Sequence, residues 1–213
     1  MSTAPAVVLF DLDGVLAHYA HAPRMALLAA RSGASEAEVS RALFESGLER
    51  DADCGLFDAD GHVAEFARRL GRAVTLDDCV DARRASMSAD TGVLALANAA
   101  SRRARVAILT NNNLLLRDHL PRICPALFPL FDARVFCSAQ FRLAKPDPAI
   151  FLACAAALGA EAREVLFVDD KAENAEGARR AGLHAHHHRD LRSLRTALRR
   201  HGLIEEGDDV DAT

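Results

Sequence analysis

The sequence predicts an α/β fold: a parallel-sheet core interrupted, after its first strand, by an all-α insertion. Three observations carry this. From about residue 90 to 204, short apolar runs alternate with helical patterns, the sign of βαβ units. A matching apolar run, VVLF at 7–10, stands alone near the N-terminus. Between them, about 70 residues show helical spacing and few β-branched side chains.

Residues 7–10 halt at Asp11, the pattern of a strand buried on both faces. Residues 11–16 hold Gly14, then Val15 and Leu16, a turn off the strand end. From about 23 to 96 the pattern is helical. Ser35 followed by Glu38 reads as a capping box ahead of Val39, Leu43 and Phe44. Val63, Phe66 and Leu70 share one helical face, and Thr75 followed by Asp78 opens another helix. Strands are then predicted at 105–109, 134–137, 164–168 and 183–187. Helices are predicted at 147–158, 171–181 and 190–200, with Gly182 closing the second. The organisation expected is a core of 1–16 plus 90–204, an insertion of 17–89, and an acidic, frayed tail of 205–213.

Composition removes several classes. The 213 residues fit one large domain or a core with one insertion. With 26 basic and 30 acidic residues the net charge is −4, so there is no basic field to gather nucleic acid. Aromatics are 5%, with no Trp and one Tyr, which leaves no platform for stacking bases. The arginine run Arg189, Arg192, Arg195, Arg199 and Arg200 reads as a solvated helix face. No apolar run approaches the roughly 20 residues of a membrane span. The opening MSTAPAVVLF has no basic n-region, so no signal peptide is expected. Five cysteines without C-x-x-C spacing predict free, mostly buried thiols and a reducing, cytoplasmic location.

In an open parallel sheet, ligands bind beyond the carboxyl ends of the strands. The polar residues predicted there are Asp11 and Asp13, Thr110 and Asn111, and Asp169 and Asp170. Four carboxylates in one crevice repel one another unless a cation joins them. Oxygen ligands suit a hard ion, and Mg²⁺ tolerates a few carboxylates while keeping its waters. Lys145 and a helix N-terminus after Thr110 add groups that face an anion. Carboxylates, Mg²⁺, a lysine and exposed amides together describe phosphoryl transfer. Each piece alone is common: a lone Asp after a strand is often a cap or turn residue. The ordered set carries the argument.

That set resembles the haloacid dehalogenase-like (HAD) hydrolase superfamily over nearly the whole chain. VVLFDLDGVL (7–16) is similar to its first motif, LTN (109–111) to its second, Lys145 to its third and FVDD (167–170) to its fourth. KPDPAIF (145–151) and FVDDKAENAEGARRAGLHA (167–185) resemble helical-cap members, namely sugar-1-phosphate phosphatases and the phosphatase half of soluble epoxide hydrolases. The resemblance implies a Rossmann-like parallel-sheet core with an inserted all-α cap. It implies Asp11 as the nucleophile that forms an aspartyl-phosphate, and Asp13 as the acid and then the base. Thr110, Asn111 and Lys145 would bind the phosphate. Mg²⁺ would be held by Asp11, Asp169 and the backbone carbonyl of Asp13, with Asp170 and Asn174 in support. Dehalogenases of the superfamily lack an Asp at position 13, since a halide leaves without a proton.

The function expected is therefore Mg²⁺-dependent hydrolysis of a small phosphorylated metabolite, such as a sugar phosphate. A phosphomutase on the same scaffold and a non-catalytic binding protein are the alternatives. Neither nucleic acid nor membrane is expected as a partner. His18, Tyr19, His21 and Arg24 read as partly exposed linker residues near the substrate mouth, with a sugar contact by Arg24 or His21 as the sharper alternative. His184, His186 and His188 would project from one face of an ordinary fifth strand, where adventitious nickel or zinc binding outweighs a physiological metal role. Ala175, Gly177 and Ala178 are expected to let their helix approach the sheet, and Asn174 to orient Asp170 or a loop.

Overall fold

The computed structural model describes residues 4–206. Five parallel strands form the core sheet: β1 (Val7–Phe10), β4 (Arg105–Thr110), β5 (Val135–Cys137), β6 (Val165–Asp169) and β7 (His184–His187). Their spatial order is β5-β4-β1-β6-β7. The central strand β1 pairs with β4 and β6, so Phe10 lies beside Ile108 and Val168. All four of its side chains are buried, which is why its sequence shows no polar alternation.

The pleat sends successive side chains to opposite faces. Val8, Phe10, Ile108 and Val168 pack with α6 (Thr91–Ala100), α7 (Leu114–Ile123) and α11 (Leu191–Arg200). Val7, Leu9, Leu109 and Phe167 pack with α9 (Pro148–Ala157) and α10 (Ala172–Arg180) on the other face. Because the strands run one way, Asp11, Thr110 and Asp169 all leave the sheet at the same edge.

The sequence pattern predicts an all-α insertion, whereas the inserted segment also carries two short strands. Its two connections form an antiparallel ribbon, β2 (Ala17–Tyr19) against β3 (Met87–Ala89), pairing Ala17 with Ala89. Three residues per strand are too few to show a period in sequence. Between them lie α1 (His21–Ser32), α2 (Glu36–Ser40), α3 (Leu48–Asp53), α4 (Ala59–Leu70) and α5 (Leu76–Ser86). The capping boxes at Ser35/Glu38 and Thr75/Asp78 both form. After α2 the helix widens into a π turn over Arg41–Glu45. Met25, Leu28, Leu43, Leu48 and Phe66 build a separate hydrophobic cluster within this cap.

Other expectations are adjusted. Arg24 is not an exposed linker residue; it lies inside α1 and is 5% exposed. The helix α10 approaches a loop rather than the sheet at Gly177: a Cβ there would lie 2.2 Å from the Pro146 carbonyl oxygen. Within the acidic tail, Glu205 forms an ion pair with Arg103, and 207–213 lie outside the described residues. His184 lies tilted against His201 and His186 edge-on to His188, while His187 Nε2 bonds the Asp170 carbonyl at 3.0 Å. Among the described residues, no histidine belongs to a group placed to hold a metal. Nor is any helix there long and apolar enough to cross a membrane. The five cysteines are free thiols.

Candidate active site

Asp11 follows the last residue of β1 and stays on the line of the strand. Its N–H donates to the Val168 carbonyl at 2.8 Å, and its Oδ1 accepts from the Leu12 N–H at 2.7 Å. Lys145 Nζ stands 2.8 Å from Asp11 Oδ1 and 2.7 Å from Asp169 Oδ2, and donates to the Leu109 carbonyl at 3.2 Å. Three contacts match the three donors of an ammonium group. Asp11, Lys145 and Asp169 are all buried. The backbone of Lys145 is clamped as firmly as its side chain. Asn111 Nδ2 donates to the Lys145 carbonyl and Asn111 Oδ1 accepts its N–H, both at 2.9 Å. The Asn111 side chain thus holds the Lys145 backbone through one donor and its acceptor.

Asp169 ends β6 with no exposed surface. Asn174 Nδ2 lies 3.0 Å from both its oxygens, and the Lys171 N–H donates to Oδ1 at 2.8 Å. Asn174 therefore orients Asp169, not Asp170. From the first turn of α10, Asn174 faces back toward the strand end at Asp169.

Asp170 and Asp13 reach the site from the loops. Oxygens of Asp11, Asp169 and Asp170 all lie within 4.8 Å of one another, the one such acidic group among the described residues. Asp13 stands outside that group of three; its Oδ2 accepts from Asn112 Nδ2 at 3.0 Å. A turn at Gly14, with φ of 84°, lifts Asp13 off the strand line. The same glycine makes room for Asp170, whose Oδ2 would lie 2.6 Å from a Cβ at that position. Thr110 is buried and its Oγ1 accepts from Asn112 Nδ2 at 2.9 Å. The helix after it, α7, is capped by its own Asn113, whose Oδ1 accepts the Leu116 N–H at 3.1 Å. That helix start is thus less open to an anion than the sequence implied.

The electrostatics fit a cation. Burial pushes the Asp11 carboxyl up to about 7; Lys145 opposes the rise and the Asp169 charge adds to it. Burial likewise raises Asp170, reinforced by Asp169. Two carboxylate oxygens, Asp13 Oδ1 and Asp170 Oδ1, are buried without a partner. The orphaned oxygen of Asp170, inside the group of three acids, is the kind of donor a hard metal ion satisfies.

The family profile described as haloacid dehalogenase-like hydrolase matches residues 5–182. The chain belongs to that family. A curated relative, Phosphatase MT3486 of Mycobacterium tuberculosis, is 44% identical over 92 residues, which is 43% of this chain and 42% of that protein. The match thus spans less than half the length of the relative. A predicted HAD-like hydrolase of Porphyromonas gingivalis superposes with a TM-score of 0.73 at 26% identity, covering 93% of this chain and 99% of that one. A HAD family enzyme of Bacteroides thetaiotaomicron, solved with magnesium and inorganic phosphate, superposes with a TM-score of 0.70 at 20% identity, covering 85% and 93%. This last likeness is one of fold.

Beside the HAD site, a cavity of about 440 Å³ lies between cap and core. Asn111, Asn112 and Ser138 line it from the core, and Arg24, Glu49, Asp53 and Arg83 from the cap. Arg24 forms a two-pronged pair with Glu49, at 2.6 and 3.3 Å. His62 Nε2 lies 3.3 Å and Arg83 Nη2 3.9 Å from the same carboxylate. Arg24, foremost among the charges that counter burial, helps hold Glu49 well below the usual carboxylate range. Sequence reasoning missed Glu49, Asp53, His62, Arg83 and Asn112. The cap residues share no periodic spacing that could betray a cluster. Asn112 did carry a signal: it follows Thr110 and Asn111 at the end of β4.

Proposed function

We propose that this HAD-family protein is a Mg²⁺-dependent phosphomonoesterase acting on a small phosphorylated metabolite through an aspartyl-phosphate at Asp11. The observation that carries the reading is the buried Asp11–Lys145–Asp169 arrangement, with Asp170 close enough to share a cation. The phosphatase name of the Mycobacterium relative and the magnesium and phosphate bound by the Bacteroides enzyme support it. Asp11, Asp169 and Asp170 would hold the ion, together with the Asp13 carbonyl. When bound, Mg²⁺ offsets the repulsion between the phosphate dianion and the attacking carboxylate.

The chain's own residues then divide the work. Asp11 attacks phosphorus, and the phosphorus–oxygen ester bond breaks. Asp13 gives its proton to the leaving alkoxide, then takes one from the water that attacks the aspartyl-phosphate. Inorganic phosphate leaves and Asp11 is restored. Lys145 neutralises negative charge on the nucleophile and the phosphate. The proton source at position 13 favours an ester over a halide as leaving group. The core is taken as 1–16 plus 90–204 and the cap as 17–89; the Ala17–Ala89 pairing at the foot of the ribbon supports that division. The cap's cavity suits a small metabolite rather than a protein.

The test is a panel of phosphorylated metabolites with Mg²⁺ or EDTA. Phosphate release that needs Mg²⁺ is expected. Asp11→Asn abolishes it, and Asp13→Asn lowers it at least about 10²-fold. EDTA-insensitive release, or near-normal turnover by Asp11→Asn, overturns the mechanism. Stoichiometric conversion to an isomer would assign a mutase instead.

A further inference from the structure

An arginine of the cap reaches the acid–base residue through one amide. Arg83, near the end of α5, donates from Nη2 to Asn112 Oδ1 at 2.7 Å. Asn112 Nδ2 turns the other way, donating to Asp13 Oδ2 at 3.0 Å and Thr110 Oγ1 at 2.9 Å. A guanidinium only donates and a carboxylate only accepts, so a single orientation of the Asn112 amide serves both. Both ends of the relay are anchored. The Asn112 carbonyl accepts from Ser138 Oγ at 3.1 Å and from the Ala139 N–H at 3.3 Å. Arg83 lies over the Tyr19 ring, 5.2 Å from its centroid, and 3.9 Å from Glu49. Arg83 and Asn112 are both buried, so water does not readily replace either bond. With Asp13 Oδ2 held, the other oxygen, Oδ1, is left buried and unpartnered.

We propose that Arg83 and Asn112 are positioning residues for proton transfer: the cap, through this relay, holds Asp13 Oδ2 and leaves Oδ1 to carry the proton. The proposal rests on the phosphatase reading. The proton moves from Asp13 to the leaving alkoxide, and later from water back to Asp13. Arg83 and Asn112 exchange no proton in the step; their part is to hold Asp13 in place.

The leaving group separates this role from a structural one. An alkyl alkoxide needs a proton to depart, whereas p-nitrophenolate leaves without one. Wild type, Arg83→Met and Asn112→Ala are compared by kcat/KM on an alkyl phosphate and on p-nitrophenyl phosphate, with Mg²⁺. Each variant is expected to lose roughly 10-fold on the alkyl ester, a share of the usual general-acid contribution, and under about 3-fold on the aryl ester. In an Asp13→Asn background, Arg83→Met is expected to add no further loss. Arg83→Lys, which restores a donor, recovers part of the alkyl-ester rate. An equal loss on both esters, or an additive loss beside Asp13→Asn, overturns the relay while leaving the phosphatase reading intact. Wild-type protein inactive on both esters, and on the metabolite panel, overturns the reading and the relay with it. Should Arg83→Met not fold, Asn112→Ala breaks the relay from the core side, keeps the Arg83–Glu49 contact, and decides the matter by the same ratio.

Discussion

Asp53 shows how a single buried carboxyl shapes the pH response of the cap. Burial lifts it to about 7, the Glu49 charge adds to the rise, and Arg83, Arg24 and the Asn113 amide offset it only in part. In the unfolded chain the same group titrates near 3.9. Between those values the folded protein binds more protons than the unfolded one, so stability falls as pH rises from about 4 to 7, then levels off. Asp53→Asn removes the titrating group. It is expected to melt higher than wild type at pH 8, by about 1–3 kcal/mol of stability, with the gain vanishing near pH 4. Thermal melts of both proteins across that range check the sign. A difference independent of pH would show that this carboxyl keeps its ordinary titration when folded. Arg24 makes a related point. Its sequence neighbours His21 and Pro23 are exposed, yet its guanidinium is buried against Glu49, 25 positions away.

At the scale of elements, the site stands on three strand ends. Their residues were legible because each apolar run stops abruptly at a polar group: Phe10 before Asp11, Leu109 before Thr110, Val168 before Asp169. The partners that hold those groups were less legible. Asn174 could be placed on α10, but which aspartate it faces depends on how the loop turns after Asp169. Gly177 could be read as a close-packing glycine, but its neighbour is the Lys145–Pro146 loop, 31 residues back in sequence. That contact gives an element-scale prediction. Gly177→Ala drives a methyl into the Pro146 carbonyl, a backbone atom that yields only if the loop moves. The cost expected is about 1–3 kcal/mol, typical of overpacking, with a fall in kcat/KM as Lys145 shifts. Glu176→Ala, on the exposed side of the same helix, is expected to change neither. Melting curves and phosphate-release kinetics of the two variants make the comparison.

At the scale of the whole molecule, the described residues form three hydrophobic clusters, one on each face of the sheet and one inside the cap. The two sheet-face clusters were implicit in the unbroken runs of β1, β4 and β6. The ribbon and the cap's buried charges were not, because they depend on contacts between segments with no shared period. Joining cap to core, Val63 of α4 and Val80 of α5 enter the same cluster as Leu115 and Leu116 of α7. Phe66, one turn beyond Val63, belongs instead to the cap's own cluster and is 1% exposed. A cap with its own core is expected to open as a unit below the free energy of global unfolding. Phe66→Ala removes about 3–5 kcal/mol of packing from that unit alone. Native-state hydrogen exchange should then show faster exchange across α1, α4 and α5, while α9 and α10 keep their protection. Asp11, Lys145 and Asp169 would remain assembled on the core, so Mg²⁺ should still raise the melting temperature of the variant. Turnover would fall all the same, because the Arg83–Asn112 contact needs a seated cap. If protection fell equally in α9 and α10, cap and core would be one cooperative unit, and the cap could not open over an intact site.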